Sequence, residues 1–353
     1  MKLVSSKRIL ILLLFTLQIT VLKAQTNSEE YKSEVITIDG LQTQYLDFGG
    51  EGLSVILIHS EGWDAFTYKD FGPLLTENNM VLAITRPGYG ISDIKAYDVK
   101  SQGDHLIKFV DALKIERAVF IGNSSVSAEL TYLAENFPQR VAGIVYLNGL
   151  AVPWLEEHYK DPFKSFEMFL RASPSSNPKT SFIYINEARR KYRPNHYKFN
   201  AVKINVPALA IVNKYGLQGS EKGVGALVFV GSPFMEEVRN EIPSSPTKEF
   251  LYKIADDPVF RSELINNIQD SVARIYFQKL ANDTVMQRKV YEYHTQSTYP
   301  AMLEAQEKLK NAFGKNLRLL RIDVDQIVGY EYRDAPELII EPIKKFLKQI
   351  NSE

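Results

Sequence analysis

Cysteine is absent from the 353 residues. That excludes disulfides, thiolate metal sites and thiol catalysis together. It also excludes a lipid anchor on an acylated cysteine. An excess of charge of either sign is missing as well: Lys plus Arg and Asp plus Glu each number 42. With no basic excess and no sustained charged run, nothing marks a nucleic-acid partner. Histidine is scarce, with five in the chain, and no H-x-x-x-H or spaced carboxylate cluster suggests a metal. No dinucleotide loop is present, because the glycines of RPGYG lack the required spacing and position. The sequence therefore implies no cofactor.

Long apolar runs are lacking outside the N-terminus. There, Lys2, Lys7 and Arg8 precede ILILLLFTLQITVL, followed by LKAQ. This run is shorter than the roughly 20 residues that a spanning helix needs. A basic start, a short apolar centre and a small boundary residue read as a secretory signal peptide cleaved after Ala24. Lys23, close behind the run, leaves an uncleaved anchor as the alternative. Cleavage removes Lys2, Lys7, Arg8 and Lys23 from a chain of formal net charge +0, leaving −4. The expectation is an exported protein, periplasmic or secreted, without a stable membrane anchor.

What is present begins to repeat at residue 34. EVITI and LQTQYLDF flank Asp39-Gly40, a hairpin signal. SVILIHS, MVLAITRPGYG, RAVFIGNS and VAGIVYLNGL are apolar runs with β-branched residues, typical of strands buried on both faces. SQGDHLIKFVDALKI between them places Leu106, Phe109, Val110 and Leu113 on one helical face, with His105 read as a solvated position. SAELTYLAENF is a second helix. Alternating strands and helices imply a doubly wound, mostly parallel α/β sheet with right-handed crossovers. Ligands bind such sheets at the carboxyl ends of the strands, where HSEGW, RPGYG, GNSSV and NGL lie.

The second half is less regular. AVPWLEEHYKDPFKSFEMFL reads as a helical pair whose aromatics Trp154, Tyr159, Phe163, Phe166 and Phe169 either line an apolar pocket or pack on the sheet. VPALAIV and ALVFVGS are further strands. Asp257 caps a helix begun by Pro258, with Phe260, Leu264, Ile268, Val272 and Ile275 on one face. Pro300 opens another helix that Gly314 closes. LRLLRIDV is a last buried strand, and APELIIEPIKKFLKQI a last helix interrupted near Pro342. The resulting division is a signal peptide (1–24), the first part of the core (25–150), a cap (151–200), later core strands (201–235), a helical insertion (236–315) and a terminal strand and helix (316–353). An insertion of that length exceeds an ordinary loop and points to a functional or interfacial role.

Three loops carry a resemblance: His59-Ser60-Glu61 after one strand, RPGYGIS after the next, and Gly122-Asn123-Ser124-Ser125-Val126 at a strand-to-helix turn. In that order they resemble the α/β-hydrolase family, over about residues 34–150 and again over 316–350. The resemblance implies an α/β-hydrolase-type sheet with a helical cap or insertion, and a small-molecule substrate or ligand. It makes Ser124 the nucleophile, lifted above the sheet by a sharp turn. It makes the backbone N–H groups of Ser125 and Glu61 the oxyanion donors. Val126 stands where a small residue is expected, which crowds the turn.

A serine needs a base, and the base an orienting acid. The family histidine follows the last strand, where RIDVDQIVGYEYRDAPELI contains none and Gly329 takes its position. At the acid position after VYL stands Asn148; if ALVFVGS precedes the acid, Glu236 or Glu237 comes into reach. His158 and His294 are the histidines that could fold over Ser124 as replacement bases. His59 reads as structural, His196 as exposed, and Asp323 and Asp325 as turn residues. Three functions follow. The chain is a hydrolase of small esters or related acyl compounds with a non-standard base, or a non-catalytic ligand-binding or interaction protein. The third is a lyase or isomerase using the same pocket.

Overall fold

The structure, a computed structural model, describes residues 31–60, 63–93, 98–150, 162–164, 168, 199, 203–213, 257–293, 296–297, 299–322 and 331–352. The expected signal peptide, the candidate strand ALVFVGS, most of the expected cap and the start of the expected insertion lie outside these residues.

Asp39-Gly40 forms the expected hairpin. Both residues have positive φ, 50° and 79°, the backbone that a two-residue turn needs to match the strand twist. It joins β1 (Lys32–Ile38) to β2 (Leu41–Asp47) in antiparallel register, Ile38 opposite Leu41. Then follow β3 (Leu53–Ile58), β4 (Asn79–Ile84), β5 (Ala118–Asn123), β6 (Val141–Leu147), β7 (Ala208–Asn213) and β8 (Leu317–Ile322). Their order in the sheet is β1-β2-β4-β3-β5-β6-β7-β8, parallel from β4 to β8.

The apolar runs are explained by burial on both faces. Ile56, Ile58, Phe120, Ile144 and Tyr146 point to one side, against Leu106, Phe109 and Val110 of α1 (Val99–Ala112), Leu130 and Leu133 of α2 (Ser127–Asn136), and a later helix. Val55, Leu57, Val119, Ile121 and Val145 point to the other, against 3-10 turns Ala65–Tyr68 and Gly72–Asn78 and the terminal helix. Each fully buried side chain of this type contributes about 1.5–3 kcal/mol, so the central strands carry the stability that fixes the loops at their ends.

Four expectations are corrected. His105 is buried, not solvated, and its Nε2 lies 2.9 Å from Thr43 Oγ1 on β2. Helix α1 touches α2 on one flank and the hairpin on another, so its buried arc is wider than its apolar stripe. The face expected from Phe260 to Ile275 is broken. Asp257 does cap α3 (Pro258–Asn267), but Asp270 caps a separate α4 (Ser271–Asn282), leaving Val272 and Ile275 exposed. With α5 (Thr284–Tyr293), these helices enclose a second small core around Leu264, Ile268, Phe277 and Val290.

Helix α6 (Tyr299–Phe313), which Gly314 closes at φ 55°, is the later helix packed on the sheet, through Ala305, Leu309 and Phe313. Strand β8 is only half-buried, with Arg318 and Arg321 exposed, because among the described residues it pairs with β7 alone. Finally, Pro342 does not interrupt α8 (Ile340–Asn351). It sits in the first turn, where its missing N–H would have had no intrahelical partner.

Candidate active site

Strand β5 ends at Asn123, whose side-chain amide donates to the Leu147 carbonyl at 3.0 Å and ties the end of β5 to β6. Ser124 follows at φ 54°, a backbone region that non-glycine residues enter only when their surroundings over-determine it. The chain then turns into α2. A side chain on Gly122 would meet Val126 Cγ1 at 2.6 Å, so the missing Cβ of Gly122 is what makes room for the fully buried Val126. The crowding expected from Val126 is thereby absorbed, and the turn keeps its form. Ser124 and Ser125 are half-buried, while Asn123, Val126 and Ser127 are buried around them. The Ser125 N–H lies in the first turn of the helical segment, where backbone donors lack intrahelical acceptors.

Behind the elbow lies an ion pair. Arg86, of RPGYG, places Nη1 3.2 Å from Glu129 Oε1, and both side chains are 1% exposed. The Tyr89 ring lies under the guanidinium at 4.7 Å. The pair joins the loop after β4 to the helix that starts at the nucleophile. Reading SAELTYLAENF only as a helix misses Glu129, which is buried on α2. His59 is pinned at the end of β3. Its Nε2 accepts from the Arg86 N–H at 3.0 Å, and its Nδ1 donates to the Ser60 carbonyl at 2.7 Å. With both ring nitrogens engaged, His59 is a structural residue, as the sequence suggests.

The other side of the elbow is built from β6 and the segment after β8. Asn148 also has positive φ, 52°, and its backbone N–H donates to the Ile211 carbonyl. Its side-chain amide donates to a carboxylate oxygen of Glu331, which is 2% exposed. A Cβ on the next residue, Gly149, would lie 2.2 Å from the Ser124 carbonyl oxygen, so Asn148 sits directly beside the elbow. Glu331 opens the single-turn helix α7 (Glu331–Asp334). The Tyr332 ring packs 4.6 Å from that of Tyr68, its hydroxyl lies 3.1 Å from Thr67 Oγ1, and Arg333 covers the Trp63 ring at 5.0 Å. These contacts dock the segment after β8 onto the segment after β3.

The structure thus brings Ser124, Ser125 and Asn148 together. It adds Glu331, which sequence reasoning misses although it stands two residues beyond Gly329. Glu61, Gly329, His158 and His294 lie outside the described residues, as do His196, Glu236, Glu237, Asp323 and Asp325. Of the expected cap aromatics, Phe163 is described, 6.0 Å from the Tyr293 ring. Among the described residues no group of three or more potential metal ligands occurs.

Residues 55–207 match the Alpha/beta hydrolase family. The sheet order and the elbow at Ser124 agree with it. The chain has the α/β-hydrolase fold. Over 137 residues it is 30% identical to a 2-hydroxymuconate semialdehyde hydrolase of Pseudomonas sp. (strain CF600), covering 37% of this chain and 48% of that protein. Over 145 residues it is 29% identical to bifunctional epoxide hydrolase 2 of Mus musculus, covering 39% and 24%. The chain therefore spans about half or less of the length of these relatives. Two solved structures share the fold at low identity. A membrane phospholipase A described as a bacterial virulence factor has TM-score 0.52 and 15% identity, with 98% of this chain and 100% of that one covered. Est816, an N-acyl homoserine lactone degrading enzyme, has TM-score 0.52 and 16% identity, with 89% and 100% covered. The family match covers the strands and loops that build the elbow.

Proposed function

We propose that this protein of the α/β-hydrolase fold is an exported hydrolase of small esters or related acyl compounds, acting through Ser124. The observation that carries the reading is the positive φ of Ser124 between a buried strand and a helix. That backbone raises the hydroxyl above the sheet, and the half-exposure of Ser124 leaves it open to a ligand. In the proposed reaction, Ser124 Oγ attacks the carbonyl carbon and the N–H groups of Ser125 and Glu61 receive the oxyanion. The leaving group departs with a proton, and water then releases the acyl group. The base is not a histidine after β8, where Gly329 stands. Curated relatives named as hydrolases support the reaction class, and the lactone-degrading Est816 is in keeping with a small acyl substrate. Export belongs to the same reading, with Gln25 as the expected first residue of the mature protein.

A second reading, a non-catalytic ligand-binding protein, is favoured by one observation: Asn148 stands at the acid position, and its amide donates a hydrogen bond to Glu331. Intact mass after treatment with a fluorophosphonate probe separates the two. An adduct on the mature wild type, absent from Ser124→Ala, is the expected result. A folded wild type that gains no mass overturns the hydrolase reading and leaves the binding protein.

A further inference from the structure

We infer that Glu331 is the general base for Ser124, with Asn148 as its positioning residue; this deepens the hydrolase reading and rests on it. In a serine triad the acid accepts a hydrogen bond from the base and so orients it. Here the same two places, the end of β6 and the segment after β8, are joined by a bond of the opposite polarity. The Asn148 amide donates, and the Glu331 carboxylate accepts. The ionisable partner has moved from the end of β6 to the segment after β8. The amide donor orients the carboxylate that accepts from it.

Three further observations support this role. Asn148 takes a left-handed backbone, and Gly149 closes directly on the Ser124 carbonyl, so the donor is fixed relative to the nucleophile. Glu331 is 2% exposed, which shields it from the bulk solvent that would weaken its pull on a proton. The helical turn that bears it is locked by Tyr332 against Tyr68 and Thr67, and by Arg333 over Trp63. Among the described residues, the titratable and charged groups on the elements that pack most closely against this turn are Tyr68, on the turn Ala65–Tyr68, and Glu337, on the 3-10 turn Pro336–Leu338. Tyr332, Arg333 and Asp334 belong to the turn itself.

The proton balance is complete with the residues named. Glu331 takes the Ser124 hydroxyl proton as Oγ bonds to the carbonyl carbon and the C=O pair moves to oxygen. When the pair returns, the bond to the leaving group breaks and the leaving group takes the proton from Glu331. Water then attacks the acyl-serine, giving its proton to Glu331. Collapse of that second intermediate breaks the Oγ–C bond and returns the proton to Ser124.

The test is the rate of fluorophosphonate labelling against pH, for wild type, Ser124→Ala, Glu331→Gln and Asn148→Asp. Both latter variants are near-isosteric, and the glutamine oxygen still accepts from Asn148; thermal unfolding checks that each is folded. Glu331→Gln is expected to slow labelling at Ser124 by about 100-fold or more. Asn148→Asp sets a carboxylate against a carboxylate, and the pH midpoint of labelling is expected to rise by about one unit or more. A merely structural residue would not move that midpoint. If the wild type is labelled at Ser124 but Glu331→Gln reacts at the same rate, Glu331 is not the base and the hydrolase reading stands. If the wild type is not labelled at all, both readings fail.

Discussion

Gly122 and Val126 are matched to each other: the β-carbon that Gly122 lacks would lie 2.6 Å from Cγ1 of Val126 and 3.2 Å from Leu130 Cδ1. The turn that presents Ser124 tolerates a β-branched residue two positions later only because the preceding strand gives up its side chain. Gly122→Ala is therefore expected to destabilise the protein by about 1–3 kcal/mol, the usual range for overpacking, and to reduce labelling of Ser124. Val126→Ala in the same chain should restore most of both. Denaturant midpoints of the two single variants and the double variant measure this coupling. Additive effects would show that the contact is not what limits the turn.

The Arg86–Glu129 pair is expected to be strongly destabilising when broken and insensitive to salt while intact. Both side chains are 1% exposed, so solvent ions screen the pair little. Glu129→Ala leaves the guanidinium buried without its counter-charge, a change that typically costs about 3–5 kcal/mol. Urea unfolding at low and high salt provides the check. A loss below about 1 kcal/mol would mean that the guanidinium finds another partner or reaches water.

Tyr146 sets an alkaline limit. It is fully buried on β6, and burial raises its pKa strongly, opposed by the smaller downward pull of its hydrogen bond with Thr131. The unfolded phenol ionises near pH ~10, while the folded one stays neutral, so the unfolded state gives up its proton first. Stability from this group is fully present below about pH 10 and declines above it, by up to about 1.4 kcal/mol per pH unit. Tyr146→Phe should flatten the difference between unfolding midpoints at pH 8 and pH 11 relative to the wild type. An unchanged pH dependence would assign the alkaline loss to other groups.

The sheet and the elbow are legible in the sequence because they rest on local signals. Apolar runs such as VILI and AVFIG have no reading other than buried strands once helices separate them, and Asp39-Gly40 can do little but turn. Asn148 and Glu331 illustrate the opposite case, a contact across 183 positions that no local period announces. Glu331 was visible two residues beyond Gly329, but its role depends on the end of β6, which only the folded sheet brings to it. The burial of His105 escapes the sequence for a related reason: helical periodicity locates the apolar stripe, while the hairpin that buries the flank of the stripe comes from elsewhere in the chain. The break between α3 and α4 turned on Asp270, a cap that competes with the continuing apolar face.

The closeness of Gly149 to the Ser124 carbonyl has a dynamic consequence. Two backbones in such contact have no room to slide, and the Asn123 amide fastens the same strand ends. The turn that carries the serine and the end of β6 therefore open together or not at all, as one cooperative unit. Breathing of the cleft is left to the elements around that unit, while the nucleophile and the Asn148 donor move as a single body.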